Sequence, residues 1–110
     1  MNDIGIVEYT KDLDQKCIHA YWFYQKDGRT STGTGKTVGE LGDTYEGDYI
    51  VTYYNQNGIE LTSYNLKIIK NQEFYELQWL DNGDIKFTGI GMEKNNKLYA
   101  GWKIHQEVCT

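Results

Sequence analysis

The sequence predicts an all-β protein, a single-domain antiparallel up-and-down β-barrel of about eight strands. Apolar and polar side chains alternate along short segments rich in Tyr, Ile, Val, Thr and Trp, as in strands with one buried face. Turn signals separate these segments, and the chain has 12 glycines and no proline. Because the chain has 110 residues, one domain over residues 1–110 is expected. A flattened β-sandwich is the alternative, because pairing between the first and last strands leaves no mark in the sequence.

Eight segments have the β-branched and aromatic content of strands. We expect these strands at about residues 4–9, 17–25, 29–37, 45–55, 59–70, 73–81, 84–92 and 97–105. In chain order they are separated by residues 10–16, Asp27-Gly28, residues 37–44, Asn57-Gly58, Asn71-Gln72, Asn82-Gly83 and Asn95-Asn96. An Asp-Gly or Asn-Gly pair favours a type I′ hairpin, because both central residues of that turn need a positive φ.

The alternation gives each of the clearest strands one apolar face, which is typical of an antiparallel sheet with one buried side. That face carries Ile18, Ala20 and Trp22 in the second strand, Tyr45, Gly47, Tyr49, Val51 and Tyr53 in the fourth, Tyr75, Leu77 and Trp79 in the sixth, and Leu98, Ala100 and Trp102 in the eighth.

One pattern occurs twice: a strand with Trp, a tight turn, and a strand containing Gly-x-Gly. Trp22 precedes Gly33-Thr34-Gly35, and Trp79 precedes Gly89-Ile90-Gly91. Glycine within a strand usually marks a bulge, a bend or close approach of another group. We therefore expect sharp coiling at both pairs. Common ancestry of the two halves and chance likeness between hairpins both remain open.

The residues from Tyr45 to Trp102 resemble small bacterial β-barrel proteins of the calycin kind, which include lipocalins and streptavidin-like proteins. The resemblance lies in Gly47, Tyr49, Val51 and Tyr53, in Tyr75-x-Leu77-x-Trp79, in Gly89-x-Gly91, and in Leu98-x-Ala100-x-Trp102. It implies an up-and-down barrel with a ligand cavity at one mouth. The Gly-x-Trp that opens a typical lipocalin is missing, and so are the biotin-site motifs of streptavidin. The resemblance therefore implies no particular ligand and no individual binding residue.

Charge and hydropathy exclude several classes of protein. The net charge of −5 gives no attraction to a phosphate backbone, which argues against nucleic acid as a partner. No stretch approaches the roughly 18 apolar residues of a membrane span. The first residues lack a basic segment followed by an apolar run, so a cytoplasmic protein is expected.

Catalytic and cofactor motifs have little support. The segment Gly33–Thr37 ends like a phosphate-binding loop, but Thr30 stands where that loop needs glycine, and a strand is the preferred interpretation. The charged pairs Glu73/Glu76 and Asp81/Asp84 flank turns, where solvated charges are ordinary. No cofactor is expected, and catalysis remains uncertain and less favoured than binding.

Cys17, His19, His105 and Cys109 form the only metal-like set in the sequence. Two Cys and two His can hold structural zinc, but this spacing matches no standard motif. A Cys17–Cys109 disulfide would need an exported protein, and two unrelated thiols are the favoured interpretation.

Aromatic residues are the best functional lead, because Trp and Tyr combine large buried area with a polar handle. The expected ligand-binding residues are Trp22, Tyr53, Tyr75, Trp79, Phe87 and Trp102. The expected function is non-catalytic binding of a small apolar or aromatic molecule in the barrel. The alternative interpretation is that these residues only fill the hydrophobic core.

Two other functions stay open. The first is a small acidic interaction or inhibitor module, which would bind a protein partner or form a homodimer through its Tyr-rich surface or a free sheet edge. The second is a barrel isomerase or cyclase, which would need His19, His105 or Glu73 to point inward with a perturbed pKa.

Overall fold

The computed structural model describes residues 3–105, which form a closed barrel of eight strands. The strands are β1 Ile4–Asp12, β2 Cys17–Lys26, β3 Arg29–Gly39, β4 Gly47–Asn55, β5 Glu60–Asn71, β6 Phe74–Asp81, β7 Asp84–Lys94 and β8 Lys97–Ile104. Each strand pairs antiparallel with the next, and β8 pairs with β1 from Gly5↔Trp102 to Thr10↔Lys97. The predicted up-and-down barrel is confirmed, and the flattened sandwich is wrong. None of residues 3–105 forms a helix with the length and apolarity needed to cross a membrane.

The strand bounds differ from the prediction at several strand ends. β1 extends to Asp12 and not to residue 9, β3 extends to Gly39 and not to residue 37, and β4 begins at Gly47 and not at residue 45. Tyr45 lies in the preceding loop, although it is buried as predicted. The prediction of tight turns with two positive-φ residues is confirmed at Asp27-Gly28 and Asn82-Gly83. Asn57-Gly58 is different: only Gly58 has positive φ, and the side chain of Asn55 accepts hydrogen bonds from the backbone N–H of Asn57 and Ile59. That turn is therefore a longer loop and not the predicted type I′ hairpin.

The loop between β3 and β4 closes one end of the barrel. The Tyr45 hydroxyl donates to the carbonyl oxygen of Asn96 at 2.7 Å and lies 3.2 Å from that of Tyr9. Lys11 Nζ donates to the carbonyl oxygens of Gly42 and Thr44, both at 2.7 Å. The same ammonium lies 4.9 Å from the centroid of the Tyr45 ring. These contacts hold the Tyr45 side chain against the apolar core at this end of the barrel, and we call this side chain the plug.

The core fills the barrel next to this plug. Its members are the inward-facing residues of alternating strand positions, chiefly Tyr9, Ile18, Tyr49, Val51, Leu66, Ile68, Leu77 and Leu98. An eight-stranded barrel is just wide enough for packed side chains or one small ligand. Large buried side chains and the Tyr45 ring therefore occupy this end of the barrel.

Glycines beside the tryptophans let the barrel hold three indoles. Trp22 pairs directly with Gly33, and a Cβ at Gly33 would lie 2.6 Å from the indole. Trp102 has glycine on both neighbouring strands, Gly5 in β1 and Gly89 in β7. A side chain at Gly5 would overlap the Trp102 indole. Gly5, Gly33 and Gly89 therefore mark close approach of an aromatic ring, whereas the sequence predicts sharp coiling at the Gly-x-Gly pairs.

Candidate functional site

A cavity of about 170 Å³ lies at the end of the barrel opposite the plug, and we call it the mouth cavity. It is bordered by the end of β2, β4, β6 and β8 and by the beginning of β1, β5 and β7. Among the described residues, those that line it are all apolar or aromatic except Thr62, and none carries a charge. The mouth cavity is therefore an aromatic pocket set into one end of a packed barrel.

Five of the six predicted ligand-binding residues line the mouth cavity. They are Trp22, Tyr53, Trp79, Phe87 and Trp102. The sixth, Tyr75, also faces inward but lies at the plugged end. Its ring meets Tyr45 edge to face at 6.4 Å, and its hydroxyl donates to Glu93 Oε1 at 2.8 Å. The structure does not bring Tyr75 to this cavity.

Five further lining residues were not among those predicted. They are Val7, Tyr24, Leu61, Thr62 and Tyr64. Tyr24 follows Trp22 at the strand period of two, and that signal could have identified it. Leu61 could not be found in this way, because it interrupts the period: Tyr53 pairs with Thr62, Tyr54 pairs with Glu60, and Leu61 is the extra residue of a bulge.

A second bulge lies at the same end of the barrel. Trp79 pairs with Phe87 while Leu80 pairs with Ile85, so that Lys86 is the extra residue. Both register shifts of the described strands therefore border residues that line the mouth cavity. Bulges occur often at barrel rims and next to functional sites, where they redirect side chains.

The aromatic rings of the cavity contact one another at an angle. The Trp102 ring centroid lies 4.4 Å from Tyr24, 5.2 Å from Phe87 and 6.3 Å from Trp79. The Tyr64 ring meets Phe87 edge to face at 5.6 Å. Tilted and edge-to-face contacts at these distances are favourable for aromatic pairs. The rings thus hold each other in place around the space between them.

Hydrogen bonds fix the polar atoms of these rings. The indole N–H of Trp22 donates to the carbonyl oxygen of Thr34 at 2.9 Å. The indole N–H of Trp79 donates to the hydroxyl of Tyr53 at 2.6 Å, and the hydroxyls of Tyr53 and Tyr9 lie 3.4 Å apart. Burial raises the pKa of Tyr53 to about 12 and holds the pKa of Tyr9 well above its ordinary value. Both phenols are therefore neutral at physiological pH.

The candidate catalytic groups lie outside the cavity. His19 is on the outer surface, where its Nε2 donates to Asp12 Oδ2 at 2.9 Å and lies 3.8 Å from Cys17 Sγ. That hydrogen bond lowers the pKa of Asp12. Glu73 is exposed at the turn between β5 and β6. His105 is half-buried after β8, where its backbone N–H donates to the carbonyl oxygen of Lys86.

The metal-like set is described only in part, because Cys109 lies outside residues 3–105. Cys17 and His19 lie on the same side of β2, as the sequence predicts, although Cys17 is buried and His19 is exposed. Within the described range, no three His, Cys, Asp or Glu side chains are placed to hold a metal ion. The segment Gly33–Thr37 lies within β3, as the strand interpretation predicts, and pairs with β2 and β4.

Exposed apolar side chains cover part of the outer barrel wall, which we call the outer apolar face. Its members are Ile6, Tyr21, Phe23, Phe74, Ile90, Met92 and Tyr99. Ile6 and Ile90 lie on either side of Gly101, and Met92 pairs with Tyr99, so the face is continuous across several strands. The face lies on the closed sheet itself. Within residues 3–105 this sheet has no free edge strand for a partner, and that part of the interaction hypothesis is wrong.

The barrel thus combines one plugged end with one aromatic, uncharged cavity at the other. Comparison of the chain with protein-family models, with curated proteins and with solved structures gives no significant match. Evidence for a function therefore comes from the side chains of the barrel alone.

Proposed function

We propose that the protein binds a small apolar or aromatic molecule, without catalysis, in the mouth cavity. The observation that carries this proposal is an uncharged cavity of about 170 Å³ walled by aromatic rings at one end of an otherwise packed barrel. Ligand sites are typically concave, mostly apolar and supplied with few polar groups. The closed eight-stranded architecture is also the one that the calycin resemblance implies.

The size of the cavity limits the ligand. An engineered apolar cavity of about 150 Å³ binds benzene. A cavity of about 170 Å³ therefore suits a single aromatic ring with one small substituent. The edges and faces of Trp22, Phe87 and Trp102 would surround such a ring, and its burial would supply most of the affinity.

Binding can be tested by titrating isotope-labelled protein with toluene and following the indole N–H resonances by NMR. We expect the resonances of Trp79 and Trp102 to shift and saturate. Thr62→Phe should abolish the shifts, because Thr62 lines the cavity at its rim and the added ring would occupy it. Asn65→Phe is the matched control, since Asn65 lies three positions along β5 but is exposed on the other face. Absence of saturable shifts in the unaltered protein would refute the proposal.

Native mass spectrometry of gently purified protein is the complementary measurement. A mass above 12.8 kDa by the mass of a small organic molecule would reveal a ligand taken up in the cell. The excess mass should be lost in Thr62→Phe and kept in Asn65→Phe. An excess that is equal in both variants would place the bound molecule elsewhere.

The outer apolar face favours a second candidate function, an interaction module. Ile90 and Met92 are more than three-fifths exposed, at 65% and 62%, and contiguous apolar patches on a surface often mark protein contacts. A second copy of the chain is the first partner to test. Sedimentation velocity should show concentration-dependent dimers that Ile90→Lys removes and Lys103→Glu leaves intact. A monomer at all concentrations would contradict self-association.

A further inference from the structure

The hydroxyl of Tyr53 has more hydrogen-bond donors around it than acceptors. It accepts the indole N–H of Trp79 at 2.6 Å, and it lies 3.4 Å from the hydroxyl of Tyr9. Two phenols carry two hydrogens, but the contact between them uses only one. One phenolic hydrogen is therefore left over.

The burial of Tyr9 decides which hydrogen is left over. Tyr9 is 0% exposed, and among residues 3–105 the Tyr53 hydroxyl is the one acceptor that its phenol contacts, because the neighbouring indole N–H of Trp79 can only donate. A buried donor without an acceptor costs about 1–3 kcal/mol. The arrangement of lowest cost has Tyr9 donating to Tyr53, so that Tyr53 accepts from both Tyr9 and Trp79. The hydrogen of Tyr53 is then the free one.

Tyr53 can direct this hydrogen into the mouth cavity. Tyr53 lines the cavity, whereas Tyr9 does not. The indole N–H groups of Trp22 and Trp79 are already engaged, with the carbonyl oxygen of Thr34 and with the Tyr53 hydroxyl itself. A molecule in the cavity can therefore supply the acceptor that the Tyr53 hydroxyl lacks.

We propose that the mouth cavity selects uncharged single-ring aromatic molecules that carry a carbonyl-type acceptor, and that the Tyr53 hydroxyl donates to this acceptor. The inference rests on the proposed function. A carboxylate is disfavoured, because no charged side chain of residues 3–105 lines the cavity and an unpaired buried charge is costly. The raised pKa of Tyr53, about 12, keeps the phenol protonated and thus a donor.

A pair of ligands with nearly the same shape tests the role of the acceptor. Acetophenone carries a carbonyl oxygen where α-methylstyrene carries a CH₂ group. Affinities for both should be measured by NMR titration on the unaltered protein and on two variants. The informative quantity is the ratio of the two affinities within each protein, because the two molecules differ in their hydration.

Tyr53→Phe should reduce the affinity for acetophenone relative to α-methylstyrene about 3- to 10-fold, the range that one neutral hydrogen bond gives. Tyr9→Phe is the matched control: it removes a neighbouring phenol and leaves the Tyr53 hydroxyl in place, so the ratio should stay unchanged. An unchanged ratio in Tyr53→Phe would overturn the inference, while binding of both molecules would still support the proposed function. If neither acetophenone nor α-methylstyrene binds the unaltered protein, the proposed function itself is refuted.

Infrared spectroscopy gives an answer that does not depend on a variant that folds. The carbonyl stretch of isotope-labelled acetophenone should move to lower frequency on binding to the unaltered protein, relative to its value in a hydrocarbon solvent. A stretch at the hydrocarbon value in the bound state would show that no donor reaches the carbonyl and would overturn the inference.

Discussion

The indole N–H of Trp79 and the hydroxyl of Tyr53 are joined by a 2.6 Å hydrogen bond that passes over the strand between them. Trp79 belongs to β6 and Tyr53 to β4, and both pair with β5. The bond ties two strands that share no backbone hydrogen bonds. Because the hydroxyl of Tyr9 from β1 lies 3.4 Å from the same hydroxyl, side chains of three strands meet behind the wall of the mouth cavity. The hydrogen bond between Trp79 and Tyr53 thus joins two strands of the barrel and also holds two residues that line the candidate site.

Replacement of Trp79 should be strongly destabilising. Trp79 is 3% exposed, and Trp79→Ala removes both its packing and the donor to Tyr53. We expect a loss of about 3–5 kcal/mol in the free energy of unfolding, measured by urea denaturation. Trp79→Phe should cost less, because a ring remains in place. An unchanged denaturation midpoint in Trp79→Ala would contradict the buried position.

A methyl group at Gly89 should also destabilise the fold. A Cβ there would overlap the carbonyl oxygen of Gly101 and lie 3.2 Å from both Trp102 and Trp79. Gly89→Ala should therefore lower the free energy of unfolding by about 1–3 kcal/mol. Gly42→Ala is the control, since nothing lies within 4 Å of a Cβ at that position. Equal midpoints for the two variants in urea denaturation would show that Gly89 has room for a side chain.

The sequence predicts the strands well because alternation and turn residues are local signals. All eight strands and the inward faces of β2, β6 and β8 follow from them. Tyr45 shows the limit of the method: it continues the alternation of β4, yet it belongs to a loop that folds back over the barrel end. A period of two cannot distinguish a buried strand residue from a buried plug. Closure of the barrel depends on pairing between β1 and β8, which are far apart in sequence.

The sequence predicts which residues of the candidate site face inward, but it does not predict at which end of the barrel each of them lies. Tyr75 and Trp79 share the inner face of β6, and alternation treats them alike. Their contacts differ because Tyr75 lies four residues nearer the plugged end, where Glu93 accepts its hydroxyl hydrogen. Leu61 was missed because a bulge breaks the alternation there. Register and bulges are set by contacts between strands, and a single strand does not encode them.

The plug should contribute to stability without affecting the mouth cavity. Tyr45→Phe removes the hydroxyl that donates to Asn96 and leaves the carbonyl oxygen of Asn96 with one partner fewer. We expect a loss of about 1–2 kcal/mol in the free energy of unfolding. Toluene affinity should stay the same, because Tyr45 lies at the opposite end from the cavity. Tyr99→Phe on the outer wall should change neither quantity. A weakened toluene affinity in Tyr45→Phe would show that the two ends are coupled.

Alkaline pH should unfold the barrel through its buried phenols. Burial is the main cause that raises the pKa of each of six tyrosines, Tyr9, Tyr24, Tyr45, Tyr49, Tyr53 and Tyr75. The folded pKa lies above the unfolded value of about 10, so the unfolded chain loses these protons first. The stability that the neutral phenols contribute is complete below about pH 10 and is lost as the pH rises toward the folded values.

The size of this alkaline effect can be measured tyrosine by tyrosine. Where only the unfolded form of one tyrosine is ionised, that residue lowers the free energy of unfolding by about 1.4 kcal/mol for each unit of pH. Burial raises the pKa of Tyr49 to about 12, so Tyr49→Phe should make the pH dependence shallower by this amount between about pH 10 and pH 12. Urea denaturation at a series of pH values gives the slope, and tyrosinate absorbance reports ionisation. Tyrosinate formation by these residues before the barrel unfolds would contradict their burial as the cause.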